Sequence, residues 1–590
     1  MIRKKYNKII AVLVATFLIG STFVGCNNSS TSSKVVATNV SVEQTKETTV
    51  LGKVKSIDGS KITISLGEEV TTTDTKTDGN TQGQENNSTP PAKPDGEAST
   101  NGNPPELPQG GGAPGMGNAS TTSFTLSGEE KTIDITNKSI ISVIKGSKTI
   151  SGGLIDITIG EILSVSYDTS GNISAITVKS NNSSYSGGAQ TGSITLTGTY
   201  SVDGETKTST NEKINSSGAN QNAILASNGG NATISGITIN KSGDTTSEEE
   251  SNFYGVNSGV AATGASNITI SDSTINTDSE GANAIFATGD GSVINISNVT
   301  INTTKNSSRG LDATYNGTVI AKDVKITTLG AHCAALATDR GEGTIHVTGG
   351  TMNTAGEGSP AVYSTGNITV KGATLKSTGS EAAVVEGKNS ITLNDCDISG
   401  VKDRGVMLYQ SMSGDSGVGT SYFNMTGGTL TALEGPMFYI TNTDSQINLK
   451  GATLKTSSGV LINAAIGKWG TQGSNGGNIT FNADSQTLEG TVTCDNISTV
   501  ALNLTNKSSL TSTINGGNKA KSVTLSLDKD STWTVTGTSY ITALTDEDTN
   551  LSNIKDNGNT IYYDSSNSAN SWLNGKTITL SGGGTLKPIK

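Results

Sequence analysis

From about residue 195 onward, apolar and polar side chains alternate in short bursts that recur along the chain. The segments 267–277, 293–303, 344–354 and 367–377 carry the same pattern, as in Asn-Ile-Thr-Ile-Ser-Asp-Ser-Thr-Ile-Asn-Thr for the first of them. An apolar side chain at every second position predicts strands with one buried face. Between the two strands of each burst stands a residue type that tolerates a left-handed backbone: Gly236, Asp272, Asn298, Asp323, Gly349, Gly372, Asp395, Gly427 and Gly451. Their successive separations are 36, 26, 25, 26, 23, 23, 32 and 24 residues, so the repeat is near 24 residues and the long gaps mark loop insertions. A third apolar burst follows in each repeat, at 259–264, 284–289, 310–314, 334–338 and 361–365. Three strands per repeat predict an all-β, right-handed parallel β-helix over residues 195–545, with 546–590 as a C-terminal cap. About a dozen coils fit that length at roughly two dozen residues each. A leucine-rich repeat would need Leu at fixed positions and a helical segment, and the pattern has neither.

Upstream the pattern changes. Val54, Ile57, Ile62, Ile64 and Leu66 flank an Asp58-Gly59 turn, and 162–167 and 173–178 flank a second turn at Asp168 to Gly171. These hairpin signals predict a small β-barrel domain at 46–180. Inside it, residues 71–121 hold Pro90-Pro91, Pro104-Pro105 and Gly110-Gly111-Gly112, which predicts a disordered insertion. Residues 181–194 read as a linker. Residues 27–45, rich in Ser, Thr and Asn without apolar periodicity, read as a flexible tether.

Composition sharpens this. Only 32% of residues are hydrophobic, against 73 glycines, which suits a thin, elongated core. A net charge of -11 excludes nucleic acid as a partner, because that partner rewards clustered Lys and Arg. Beyond Cys26 the chain has Cys333, Cys396 and Cys494, an odd number at long spacings that implies no disulfide framework.

Residues 1–26 read as an export signal. Arg3, Lys4, Lys5 and Lys8 precede an apolar run from Ile9 to Leu18, too short to span a bilayer. The following Phe23-Val24-Gly25-Cys26 resembles the lipobox of bacterial lipoproteins. That resemblance implies Cys26 as the lipidated N-terminus of a protein anchored in the cell membrane by this group alone and facing the extracellular side. The 46–180 segment resembles a small domain of unknown function common in bacterial surface lipoproteins, which implies architecture and no activity. Residues 531–544, with Ser-Thr-Trp-Thr-Val-Thr-Gly, resemble the terminal coils of pertactin-like autotransporter adhesins. Those proteins end in a membrane barrel, whereas this chain carries an N-terminal lipid signal. A broader resemblance is to lyase-like β-helix domains that bind plant cell-wall polysaccharide with calcium.

Candidate chemistry follows from the alternation in the third strand. One parity of that strand faces the core, and the other stacks Phe286, Asp312, Leu336, Tyr363, Met407 and Tyr439 in an outward column, with Tyr409 close by. Rings beside hydroxyls suit sugars, which have an apolar face and polar edges. Phe286, Tyr363, Tyr409 and Tyr439 are therefore the candidate glycan-binding residues of a non-enzymatic adhesin or carbohydrate-binding protein, with a polysaccharide or surface glycan as partner and no cofactor. The alternative is a polysaccharide lyase acting on uronate-containing glycans, with Arg309, His332 and Asp339 as its catalytic set. Calcium on Asp312, Asp339 and Glu342 would serve that reading. Against it, Glu381 precedes Arg404 by one coil in the same column, as in an ordinary ladder ion pair. A structural envelope protein without ligand is the third reading.

Overall fold

The computed structural model describes residues 48–58, 60–72, 121–135, 141–145, 148–151, 157, 161–179 and 194–589. The export signal with Cys26, the tether, most of the 71–121 insertion and nearly all of the linker lie outside the described residues.

The first folded part is a seven-stranded sheet with Thr121–Asp134 and Lys148–Ser151 at its edges. Thr48–Asp58 pairs antiparallel with both Lys61–Thr72 and Ile162–Tyr167. The alternating residues anticipated above supply its core: Ile62, Ile64, Leu163, Val165, Ile176 and Val178 are fully buried. The second turn is held by Asp168, whose carboxylate accepts from the backbone N–H groups of Ser170 and Asn172 at 2.9 Å each.

The remainder is a parallel β-solenoid of about 16 turns. A typical turn runs through Val260–Ala262, Asn267–Ser271 and Thr274–Asp278, each strand pairing in parallel with its counterpart one turn on. The first of the three belongs to a twelve-stranded sheet that starts at Gly198–Asp203 and ends at Thr491–Cys494. The turns outnumber the dozen expected in part because parallel pairing runs on past residue 545. Ser539–Ile541 stacks on Thr560–Asp564, and that strand on Thr585–Ile589.

All nine corner residues adopt the left-handed conformation, with φ between 50° and 72°. The side-chain alternation then fixes what faces inward. Ile268, Ile294, Val319, Ile345, Ile368, Ile391, Phe423 and Ile447 stack in register as one column of the core. Outward positions carry ladders of their own. The Asn276 amide donates to Asn240 at 3.0 Å and the Asn302 amide to Asn276 at 2.9 Å, which satisfies stacked polar groups turn after turn.

Inward polar residues close the bends. The hydroxyls of Thr303, Thr328 and Thr354 donate to the carbonyls of Ser308, Cys333 and Ser359 at 2.7, 2.6 and 2.6 Å. Cys333 occupies a serine position in this column: its Sγ accepts from the Ser308 N–H at 3.1 Å, as Ser359 Oγ accepts from the Cys333 N–H at 2.9 Å. Burial pushes the Cys333 thiol up to about 11 and the Cys494 thiol up to about 12, so neither is a thiolate at neutral pH.

Candidate functional site

The outer face of the twelve-stranded sheet carries the candidate chemistry. Its outward column runs Phe286, Asp312, Ala337, Tyr363, Val384, Met407, Tyr439 and Asn463. Leu336, expected in this column, instead pairs with Leu311 and Val362 and is buried in the core. The run Ala334-Ala335-Leu336-Ala337 offers no alternation to fix its parity, and packing the largest side chain inside decides it.

Three insertions build a second layer over this face. The 36-residue gap between Gly236 and Asp272 contains helix α1 (Glu248–Tyr254). Ser247 caps its N-terminus by accepting from the Glu250 N–H, and Gly255 ends it at φ 71°. Gly255 lies so close to Phe286 that a Cβ there would fall 2.3 Å from the ring. Phe286 is consequently fully buried, which removes the exposure expected of it as a sugar platform. The helix is pinned further along. Thr314 Oγ1 donates to the Phe253 carbonyl at 3.0 Å, the Tyr254 and Tyr315 rings stack at 5.5 Å, and the Arg340 guanidinium sits 3.9 Å from the Phe253 ring centre.

Beneath α1 lies a buried ionic group. Arg309 Nε is 2.9 Å from Asp339 Oδ2 and 3.7 Å from Asp312 Oδ2, and Arg309 Nη1 donates to Asn252 Oδ1 of α1 at 2.5 Å. The structure thus joins Arg309 to Asp339, two of the three proposed lyase residues, and places the half-buried His332 in range of Arg309. Burial first, and then the Arg309 charge, lower the basicity of His332. Of the metal candidates, Asp312 and Asp339 share Arg309, while Glu342 lies 2.7 Å from Lys388 in a separate pair. Among the described residues no group of three His, Cys, Asp or Glu side chains is arranged to hold a metal ion.

The second and third insertions, residues 410–420 and 465–476, cover the neighbouring turns. Glu386 is the hub here. It accepts from Tyr363 Oη at 2.6 Å, from Tyr409 Oη at 2.8 Å and from Ser411 Oγ. The Ser413 N–H donates to Ser411 Oγ at 3.0 Å, Ser413 Oγ donates to Asp415 at 2.9 Å, and Arg340 Nη2 donates to Asp415 at 2.6 Å, so a chain of hydrogen bonds ties the loop to the sheet and ends on the arginine that packs against Phe253 of α1. Tyr409, expected to be exposed, is buried because Trp469 of the third insertion tilts against it with ring centres 4.7 Å apart. Tyr363, Tyr439 and Trp469 remain half-buried at the edge of the resulting apolar cluster with Val384 and Met407. Arg404 lies 4.8 Å from the Tyr439 ring centre and 3.0 Å from Glu381, the ladder pair anticipated from spacing. Trp469 was missed by sequence reasoning. An aromatic residue in the Gly467-Lys468-Trp469-Gly470 stretch of a long insertion is the signal that could have found it.

Burial raises the pKa values of these carboxyl groups and makes them weaker acids. Asp339 is pushed up to about 6 by burial, with Arg309 opposing and the charges of Asp415 and Glu386 adding to the rise. Asp312 and Glu386 rise for the same first reason. Their folded values exceed those of the unfolded chain, so the folded state takes up protons and stability increases as pH falls through about 6 toward the ordinary carboxylate value near 4. Below that range the carboxylates that backbone and side-chain donors hold low, such as Asp495 and Asp528, are protonated in turn and stability falls again. The melting temperature should therefore be higher at pH 5 than at pH 7.5, with the charging of His332, whose basicity is lowered, opposing part of the rise. Asp339→Asn should flatten the rise; a melting temperature that drops steadily from pH 7.5 to 5 in the wild type would refute the assignment.

Comparison with known proteins finds no matching family model, no matching curated protein and no matching solved structure.

Proposed function

We propose that this is a lipid-anchored, cell-surface carbohydrate-binding protein of the adhesin type, acting without catalysis. The observation that carries this reading is the group of half-buried rings, Tyr363 and Tyr439 on the rigid parallel sheet and Trp469 on the insertion packed against it. Such rings offer flat apolar area at low entropic cost, with the polar groups of Arg404 and Ser411 beside them for sugar hydroxyls. Met412 at 61%, Val418 at 73% and Ile466 at 43% exposure lie on the same two loops. A parallel β-solenoid is consistent with adhesins, carbohydrate-binding proteins and lyases alike. The lyase reading is less favoured because Arg309 is engaged on three sides by Asp339, Asp312 and Asn252, with its side chain only 11% exposed.

A panel of polysaccharides tests the choice. Saturable binding of at least one polymer without the ultraviolet absorbance of unsaturated uronates is the expected result, and EDTA should leave that binding intact. Appearance of the absorbance would establish a lyase; loss of binding on chelation would bring calcium into the site. No binding by any polymer would favour the structural envelope reading. The anchor is tested separately: Cys26→Ser should abolish lipid labelling and move the protein from the membrane fraction to the medium or to an unprocessed precursor. Undiminished labelling would rule out lipidation at Cys26.

A further inference from the structure

We infer that the glycan bound at this face is a neutral polysaccharide and not a uronate- or sulfate-bearing one; the inference rests on the carbohydrate-binding reading above. Cations are the groups that would recognise an anionic sugar, and those of the site are already committed. Arg309 is held by Asp339 and Asp312, Arg340 by Asp415 at 2.6 Å, Arg404 by Glu381 at 3.0 Å and Lys388 by Glu342 at 2.7 Å. Among the described residues of the site Lys468 is the exception, an exposed ammonium 5.1 Å from the Trp469 ring centre, and a single hydrated charge at the rim returns little to a ligand.

The carboxylates are not balanced in the same way. Glu386 is satisfied by three hydroxyls, Tyr363, Tyr409 and Ser411, with no cation among those donors. Asp312 and Asp339 share the single charge of Arg309, and Glu386 adds to the field felt at Asp339. An anionic sugar laid across the rings would meet this negative floor, or would have to break a partly buried ion pair and leave its carboxylate unpaired. Both routes discriminate against it, a repulsive element that complements the attraction of the rings. A neutral hexose or pentose polymer meets neither penalty. It can stack on Tyr439 and Trp469 while its hydroxyls exchange hydrogen bonds with the polar groups around them.

The test measures binding of the full chain to neutral polymers (a soluble β-glucan, xylan and galactomannan) and to polygalacturonate and alginate, each at low and at high ionic strength. At least one neutral polymer should bind tighter than either uronate polymer by about tenfold or more, with little change on adding salt, since no net charge pairing is formed. Glu381→Gln frees Arg404 beside Tyr439, and should shift the uronate-to-neutral binding ratio toward the uronate by about fivefold at low salt, the scale of one exposed ion pair. An unchanged melting profile would show that this variant is folded. A uronate polymer that binds tighter than every neutral one and is displaced by salt would overturn the inference while leaving carbohydrate binding in place. An unmoved ratio in folded Glu381→Gln would equally count against it. Failure of all the polymers to bind would instead remove the carbohydrate reading itself.

Discussion

Replacing Phe438 with alanine is expected to destabilise the solenoid by about 3–5 kcal/mol, the usual cost of emptying a buried aromatic position. Phe438 is fully buried and lies between Phe423 and Phe481, with ring centres 6.0 and 5.5 Å away in edge-on contacts. Truncation removes both contacts and leaves a cavity that the stiff parallel sheets cannot close. Because each turn of a solenoid touches mainly its neighbours, the loss should be local. Amide exchange should accelerate around Phe423, Phe438 and Phe481 while strands near Ile239 and Ile275 keep their protection. Phe438→Leu, which keeps most of the volume, should cost much less. A uniform loss of protection from end to end would show that the turns unfold as one cooperative block.

The second large effect concerns binding. Trp469→Ala and Tyr439→Ala should each weaken glycan binding by roughly 1 kcal/mol or more, the contribution of a ring contact beyond its area, and the double variant should lose more than about tenfold. Phe286→Ala is the informative contrast. Its ring is sealed beneath α1, so the change should lower the melting temperature and leave affinity unaltered. Tyr409→Phe falls between them. It deletes one donor to Glu386 and leaves the packing against Trp469, and so should loosen the 410–420 loop without removing a stacking surface. Affinity that falls with Phe286→Ala but not with Trp469→Ala would place the ligand somewhere else on the solenoid.

The solenoid was legible because its determinants are local. Apolar residues at alternate positions, such as Ile268 and Ile270, specify strands. The nine corner residues specify bends by the backbone conformation they tolerate, and every one of them adopts it. Two of the three insertions could be read from the 36- and 32-residue gaps, while the third, at 465–476, lies beyond the last corner residue, Gly451. Their consequence could not, because nothing local says onto which face a loop folds. The outward parity of Phe286 was right, yet its exposure depended on α1, a segment preceding it by more than a turn. Tyr409 was hidden in the same way by Trp469, far ahead in the chain. Leu336 failed for a different reason: in a run of alanines the period-two signal vanishes, and only the competition for core volume sets the register. The pairing of Arg404 with Glu381 was legible from a one-coil spacing. The triad of Arg309, Asp339 and Asp312 joins neighbouring turns in a geometry that spacing alone leaves open.

The central claim, that the ring-lined face of the twelve-stranded sheet binds carbohydrate, is tested most directly by the intrinsic fluorescence of Trp469 during titration with the polysaccharide panel. Of the other two tryptophans, Trp533 is fully buried and serves as an insensitive background, and Trp572, only partly buried near the C-terminus, is replaced by Phe in the protein used for the titration. The account predicts a saturable change in emission with at least one polymer, and its disappearance in Trp469→Phe. No change with any polymer, or a change that persists undiminished in Trp469→Phe, would contradict it.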